Sequence, residues 1–121
     1  MARILVIDDE ASIRTMLQQI LERSGHEVAV ATQRAEGLTL FQEHPVDLVI
    51  TDIFMPEKEG IETILELRYQ SSQTKIIAIS GGGRAGNLDF LATAKNFGAH
   101  HTLAKPFERQ EVLDPVNAVL A

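Results

Sequence analysis

The sequence contains no cysteine, which excludes a disulfide framework, a thiolate nucleophile and a cysteine zinc site. Long hydrophobic runs are missing as well. Near the N-terminus the apolar run Ile4–Ile7 stops at Asp8 and Asp9, so it is too short for a signal-peptide core or a membrane span. We therefore expect a soluble, cytoplasmic protein that does not contact the membrane.

Positive charge is scarce. The chain has 11 lysines and arginines against 17 aspartates and glutamates, a net charge of −6 and a pI near 5.1. This balance repels phosphate backbones and anionic lipids, which argues against direct binding of nucleic acid or membrane. The expected partners are proteins or a metal-bound anion. With 121 residues and no visible linker, residues 1–121 are predicted to form a single domain.

Two hydrophobic periods alternate along the chain. Short apolar runs predict strands, and apolar residues three or four positions apart predict helices between them. The predicted strands are Ile4–Ile7, Glu27–Ala31, the run that ends at Asp52, Lys75–Ser80 and His101–Ala104. Alternating strands and helices imply right-handed crossovers. The predicted fold is therefore α/β, with a parallel five-stranded sheet in a three-layer α/β/α sandwich.

The first two predicted helices are bounded by a polar cap, glycine and proline. The first should stop at Gly25, and its buried face should comprise Ile13, Met16, Leu17, Ile20 and Leu21. The second should begin at a Thr32 cap and end before Pro45. Its apolar side should comprise Ala35, Leu38 and Phe41.

Three further helices are expected. The third follows Gly60, and its apolar residues are Ile61, Ile64 and Leu65. The fourth spans Asn87–Phe97, and the last is marked by Val112, Leu113, Val116, Val119 and Leu120. Because an interior proline costs about 3 kcal/mol in a helix, Pro115 predicts a kink or a restart near Asp114.

Asp52 ends an apolar, β-branched run that is typical of a central strand covered on both faces. We expect Asp52 to lie where this strand reaches the surface, because carboxylates are rarely buried unless they are paired. In a parallel sheet all strand-to-helix turns lie at one edge, so other polar residues that follow strands should meet Asp52 there. These residues are Asp8, Asp9, Ser80 and Lys105.

Three carboxylates, a hydroxyl and an ammonium at one edge favour phosphoryl chemistry. Crowded carboxylates repel one another, and Mg²⁺, which prefers oxygen ligands, relieves that repulsion. A bound cation with open positions suits a phosphoryl group, whose oxygens need metal, ammonium and hydrogen-bond donors around them. Asp52 is then the expected nucleophile.

These residues resemble the receiver domain of two-component response regulators. The resemblance extends from Arg3 to Leu120 and rests on Asp8-Asp9, Asp52 with Met55-Pro56 and Gly60, Ser80-Gly81 and Lys105-Pro106-Phe107. It implies a flavodoxin-like, doubly wound sheet with strand order 2-1-3-4-5. It also implies a phosphorylation-switched signalling domain of a two-component system. Such a domain is not an enzyme, apart from its own Mg²⁺-dependent phosphorylation and dephosphorylation.

The same resemblance assigns roles to the candidate residues. Asp52 would accept a phosphoryl group from a sensor histidine kinase or a phosphotransfer protein. Asp9, Asp52 and the backbone carbonyl of Phe54 would hold Mg²⁺, with Asp8 assisting through water. The phosphoryl oxygens would be bonded by Ser80 and Lys105.

The resemblance also implies an output surface, formed by Asn87–Phe97, Thr102 and the last helix, where a homodimer or an effector would bind. The sequence adds its own reason. Phe90, Ala94 and Phe97 form a stripe apart from the other apolar stripe of this segment, so some aromatic area should stay exposed. Thr102 stands where the family commonly has an aromatic switch residue, so a rotating ring is not expected there.

Residues at the predicted site bear on the lifetime of the phosphorylated state and on two alternative functions. Phe54 and Gly82 lie two positions after Asp52 and Ser80, and neither side chain can orient a water, which favours slow self-dephosphorylation. A phosphatase of the haloacid dehalogenase type would need a second aspartate in place of Phe54. A non-phosphorylated interaction module of the same fold would not need the intact set of acidic residues, hydroxyl and lysine.

Two other motifs have ordinary explanations. Gly81–Gly86 matches a dinucleotide-binding glycine pattern. That pattern belongs after the first strand and expects an acidic residue about 20 positions later, where this chain has Lys105. The histidines lack metal-site spacing and are interpreted as surface residues, at His26, His44, His100 and His101.

Overall fold

Five strands and four helices occur in the residues that the computed structural model describes, which are 2–52, 57–71, 73–80, 98–104 and 107–121. For residues 57–61 and 80 only the backbone is described. The strands are β1 (Arg3–Ile7), β2 (Glu27–Ala31), β3 (Leu48–Asp52), β4 (Lys75–Ser80) and β5 (His101–Ala104). The helices are α1 (Ala11–Arg23), α2 (Arg34–Glu43), α3 (Glu57–Gln70) and α4 (Arg109–Leu120). The predicted helix Asn87–Phe97 and the segment Gly81–Gly86 lie outside the described residues.

The strands form one parallel sheet in the order β2-β1-β3-β4-β5, as predicted. After β1 the chain moves to β2 on one side, and it then crosses back to β3 on the other side of β1. The strand order therefore reverses between β1 and β3. In open α/β sheets the carboxyl ends of strands at such a reversal border the ligand-binding crevice.

The central strand β3 is buried along its whole length, which confirms that both sheet faces are covered. Leu48 and Ile50 belong to a hydrophobic cluster with residues of α1 and α4. Val49 belongs to a second cluster with residues of α2 and α3. Successive residues of a strand point to opposite faces, so each cluster receives alternate side chains. The chain is thus a three-layer sandwich with two cores.

Helix α1 matches its predicted face and its predicted end. Leu17, Ile20 and Leu21 are buried, with Ile13 and Met16 packed against them. Gly25 has φ of 91° and donates its N–H to Glu22 O, while His26 N–H donates to Leu21 O. These two bonds form a Schellman motif, which uses the left-handed glycine to satisfy the last carbonyls of the helix.

The start of α2 corrects the prediction that Thr32 caps this helix. The helix begins at Arg34, and the residue before it, Gln33, makes no side-chain capping bond. Thr32 instead donates its N–H and hydroxyl to one carboxylate oxygen of Glu36, at 2.7 and 3.0 Å. Glu36, in the first turn of the helix, thus binds the turn that precedes α2, and its carboxylate lies beside the positive end of the helix dipole.

The buried face of α2 also differs from the predicted one. Ala35 is exposed, whereas Gly37 and Phe41 are buried. Gly37 lies directly against Ile7, and a Cβ atom added there would be 2.7 Å from Ile7 Cγ1. The glycine is required because α2 approaches β1 so closely, which hydrophobic spacing alone does not reveal.

Helix α3 buries only part of its apolar residues. Ile64 and Leu67 are fully buried, but Leu65, one of the apolar residues named for this helix, is 44% exposed. Residues 64 and 67 are one turn apart and share a face, whereas residue 65 is rotated about 100° away from residue 64. The side chain of Ile61 lies outside the described residues.

Helix α4 runs without interruption through Pro115, so the predicted restart at Asp114 was wrong. Pro115 removes one N–H donor from the helix, but it is itself buried. Burial of this face against the sheet offsets the missing bond, because a fully buried aliphatic side chain contributes roughly 1.5–3 kcal/mol. A reciprocal capping box also stabilises the helix start, formed by Glu108 and Glu111.

His100 joins the start of β5 to β4. Its N–H donates to Ile76 O at 2.7 Å, and its ring Nδ1 accepts the Ile76 N–H at 3.2 Å. Desolvation lowers the pKa of His100, and the positive charges of Arg68 and Lys75 lower it further. His100 therefore has a structural role, as a neutral ring that accepts a backbone N–H. The sequence predicted an ordinary surface histidine. His100 is exposed, as predicted, but its bonds to β4 were not foreseen.

Stability is expected to fall as the pH drops below about 6.5. The unfolded chain then protonates His100 more readily than the folded protein does, because the folded pKa is lowered from 6.5. The loss of stability continues until the pH passes the folded pKa, and solvent screening should keep this loss under about 1 kcal/mol.

Urea unfolding below pH 6.5 should show a smaller pH dependence for His100→Gln than for wild type. His44→Gln, at an exposed position, is the control and should keep the wild-type slope. Equal slopes for His100→Gln and wild type would contradict the prediction.

Candidate functional site

The candidate site begins at the carboxyl ends of β1 and β3. Ile7 pairs with Thr51 in the sheet, so the next residues, Asp8 and Asp52, are neighbours across the two strands. The N–H of Asp8 donates to Ala31 O at 3.1 Å, which ties the end of β1 to β2 as well. Backbone bonds on the β2 side thus fix the place where the first acidic residue leaves the sheet.

Asp52 is buried, with only 2% of its surface exposed, which corrects the expectation that it lies where β3 reaches the surface. Asp8 is fully buried, while Asp9 is exposed. The reason is the place of β3 in the fold. It lies between β1 and β4 and is covered on both faces up to its last residue, so Asp52 remains inside the layered core.

Four carboxylates converge at this sheet edge. One oxygen each from Asp8, Asp9, Glu10 and Asp52 lies within 4.8 Å of the others. Two full charges 4.8 Å apart repel by roughly 3 kcal/mol at an effective dielectric constant of about 20. Burial of Asp8 and Asp52 strengthens this repulsion, so the cluster favours a bound cation.

Glu10 is a member of the cluster that the sequence interpretation missed. It is the third residue of the acidic run Asp8-Asp9-Glu10. Its N–H donates to Asp8 Oδ1 at 2.8 Å, which curls the turn so that consecutive residues face the same space. It occupies the N-cap position of α1, yet its side chain makes no capping bond. Three successive carboxylates before a helix were the available indication.

The geometry of the cluster fits a small oxygen-preferring cation. Mg²⁺ binds oxygens at about 2.0–2.1 Å in an octahedron, so opposite ligands are roughly 4.2 Å apart. The carboxylate oxygens span up to 4.8 Å, and a modest contraction or a bridging water would close the difference. The acidic cluster therefore has the ligand type and the size of a Mg²⁺ site. No histidine belongs to it among the described residues.

Sheet register brings the ends of β4 and β5 to the same rim. Asp52 pairs with Ile79, so Ser80 is the next residue of β4. Ser80 pairs with Ala104, and Lys105 follows Ala104 directly. The backbone thus brings these strand ends together, as predicted. The side chain of Ser80, and Lys105 and Phe54 as a whole, lie outside the described residues.

Thr102 and the C-terminal helix border a groove. Thr102 pairs with Ala78 and is partly exposed, two positions before the end of β5. A groove of about 530 Å³ lies between β5 and α4. It is lined by His101, Thr102, Leu103, Ala104, Phe107, Glu111, Asp114, Pro115 and Ala118.

Among the described residues, no helix has the length and apolar content that crossing a membrane would require.

Comparison with known proteins points to one family. The family model described as "Response regulator receiver domain" matches residues 4–117. The chemotaxis protein CheY of Bacillus subtilis is 37% identical over 98% of this chain and 97% of its own length. The transcriptional regulatory protein CpxR of Klebsiella pneumoniae is 35% identical over 99% of this chain. This chain corresponds to only 50% of the length of CpxR.

Solved structures agree with the sequence comparison. A response regulator receiver domain protein from Clostridium thermocellum superposes with a TM-score of 0.89 at 34% identity. That match covers 99% of this chain and 94% of the other. The chemotaxis protein CheY4 of Vibrio cholerae superposes with a TM-score of 0.84 at 32% identity, covering 98% of both chains.

Proposed function

This chain belongs to the receiver domains of two-component response regulators, and from that premise we propose that Asp52 is the residue that accepts the phosphoryl group. Membership of the family makes the chain a switch operated by aspartyl phosphorylation, not a conventional enzyme, and implies a histidine kinase as its partner. The observation that carries the assignment is the convergence of carboxylates on the end of β3.

Asp52 is the best placed of the four carboxylates. It alone comes from β3, between the other acidic residues at the end of β1 and the end of β4, where Ser80 lies. A carboxylate oxygen of Asp52 therefore has metal ligands on one side and the β4 rim on the other, which suits an attack on phosphorus.

The remaining residues would hold the cation and the phosphoryl oxygens. Asp9, Asp52 and the Phe54 carbonyl would bind Mg²⁺, with Asp8 assisting through water, and the bound ion would neutralise charge that develops on the phosphoryl oxygens. As the P–N bond of the phosphohistidine donor breaks, an oxygen of Asp52 bonds to phosphorus, and the imidazole regains a proton. The phosphoryl oxygens would then be bonded by Ser80 and Lys105.

The proposed output is a change at the surface that joins Asn87–Phe97, Thr102 and α4. Support comes from the groove between β5 and α4, where a homodimer or an effector would bind. A phosphotransfer protein is a second class of possible phospho-donor. We place residues 1–121 in one receiver domain that works in the cytoplasm beside its kinase and binds neither nucleic acid nor membrane directly.

Phosphorylation of the wild-type protein tests this proposal. With a small phospho-donor and Mg²⁺, intact-mass spectrometry should show the gain of one phosphoryl group. Borohydride reduction of the acyl phosphate followed by peptide mapping should place it on Asp52. Chelation of Mg²⁺ should abolish the labelling, because the carboxylate cluster then repels the anionic donor. Labelling of another residue, or equal labelling after chelation, would refute the proposal.

A further inference from the structure

Arg14 contacts the turn that carries the acidic residues. It lies in the early part of α1 and is half-buried. Its Nη1 donates to the backbone carbonyl of Asp8 at 2.8 Å. This carbonyl lies between the end of β1 and the turn formed by Asp8, Asp9 and Glu10. The guanidinium therefore binds the backbone at the start of the turn, whose conformation sets the directions of these carboxylates.

Arg14 also lies close to the turn between β2 and α2. The N–H and hydroxyl of Thr32 lower the pKa of Glu36, and the nearby positive charge of Arg14 is a smaller cause in the same direction. The neighbouring residue Ala31 accepts the N–H of Asp8 at 3.1 Å. Arg14 therefore binds the turn after β1, and its positive charge also acts on the turn after β2.

The position of Arg14 is unfavourable for the helix itself. A positive charge near a helix N-terminus opposes the helix dipole, whose positive end is there. The N–H of Arg14 makes the first bond of the helix, to Glu10 O at 3.1 Å. A cation placed so near the N-terminus is therefore not explained by helix stability, and its bond to the Asp8 carbonyl supplies a reason.

We propose that Arg14 is a positioning residue of the acidic site, which holds the Asp8 carbonyl and thereby aims the carboxylates of Asp8 and Asp9 at the cation. This inference rests on the proposed function, because it takes the carboxylate cluster as the Mg²⁺ site. It adds a residue outside the cluster that controls how well the cluster binds.

Positioning and simple electrostatics predict opposite results. Removing a positive charge beside four carboxylates should strengthen the binding of a divalent cation if only charge matters. If Arg14 positions the ligands, its removal should weaken binding, because the turn loses the bond that orients it. The sign of the change in Mg²⁺ affinity therefore separates the two.

The experiment is calorimetric titration of the full chain with Mg²⁺. Arg14→Gln should bind Mg²⁺ about tenfold more weakly than wild type, the scale on which residues that support metal ligands act. Arg14→Lys keeps the charge but lacks the planar fork, so a loss of about threefold is expected. Arg23→Gln removes the same charge from the exposed end of α1 and should stay within about twofold of wild type.

Several outcomes would overturn the proposal. Mg²⁺ binding by Arg14→Gln that equals or exceeds wild type would show that charge alone matters. An equal loss in Arg23→Gln would remove the special position of Arg14. Should Arg14→Gln fail to fold in thermal unfolding without Mg²⁺, Arg14→Lys decides, and wild-type affinity in that variant refutes the proposal. If wild type itself binds no Mg²⁺, the proposed function fails together with this inference.

Discussion

Asp52→Asn is expected to abolish phosphoryl labelling, leaving no signal above the chelated wild-type background. An amide cannot act as the nucleophile, although it has nearly the same shape as the carboxylate it replaces. Asp52 is buried at the end of the central strand, so no exposed carboxylate can take its exact place in the sheet. Labelling with a small phospho-donor and Mg²⁺, followed by intact-mass spectrometry, measures the result.

Asp47→Asn is the matched control for this substitution. It also removes one negative charge, but directly before β3, at the opposite end of the strand from Asp52. There Asp47 is exposed and accepts the N–H of Arg3 at 2.9 Å. Its labelling should equal that of wild type. Substantial labelling of Asp52→Asn on a neighbouring carboxylate would show that the cluster, and not Asp52 in particular, determines acceptance.

The metal-free protein should also become more stable when Asp52 is neutralised. Asp8 and Asp52 are both buried within a group of four carboxylates, so the ionised cluster opposes folding. Replacing Asp52 by Asn removes this repulsion and keeps the volume. We expect the free energy of unfolding to rise by roughly 1–3 kcal/mol, a gain in stability at the expense of function. Urea unfolding in the presence of a chelator measures it.

Two comparisons separate the relief of carboxylate repulsion from a general change in stability. They are the addition of Mg²⁺ and the charge-matched variant Asp47→Asn. At 100 times its Kd, Mg²⁺ should stabilise wild type by about 2.7 kcal/mol, whereas Asp52→Asn, which lacks a ligand, should gain less. The difference between the two proteins should therefore shrink or reverse when Mg²⁺ is saturating. Asp47→Asn should change stability by less than about 0.5 kcal/mol, because its position is exposed and an amide oxygen can still accept the N–H of Arg3. A lower stability of metal-free Asp52→Asn would contradict the prediction.

Most of the fold could be predicted from local patterns. Strand and helix periods lie in short stretches of sequence, and the right-handed crossover rule limits how such elements can assemble. The strand limits predicted for Glu27–Ala31, Lys75–Ser80 and His101–Ala104 are those of β2, β4 and β5. The order 2-1-3-4-5 followed from the resemblance to the family and is confirmed.

The residues that gather at the site were partly predictable for the same reason. Acidic residues that follow strands must share one edge of a parallel sheet, so Asp8, Asp9 and Asp52 could be grouped by their positions in the chain alone. Glu10 could not be grouped with the same ease. Its convergence depends on a turn that curls because Asp8 Oδ1 accepts the Glu10 N–H, a contact between side chain and backbone that spacing does not encode.

The sequence by itself determined the α/β class, the sheet edge where chemistry gathers and the placement of Asp8, Asp9 and Asp52 at that edge, because each depends on periods and turns read over a few positions. Tertiary structure decided how deeply Asp52 is buried, why Gly37 must lack a side chain against Ile7, and which backbone carbonyl Arg14 reaches. The burial of Asp52 and the close approach of α2 to Ile7 depend on distances between elements that are remote in the chain, and the bond from Arg14 depends on how α1 packs at the end of β1. Such distances emerge only when the layers pack, since packing sets how closely each helix approaches the sheet.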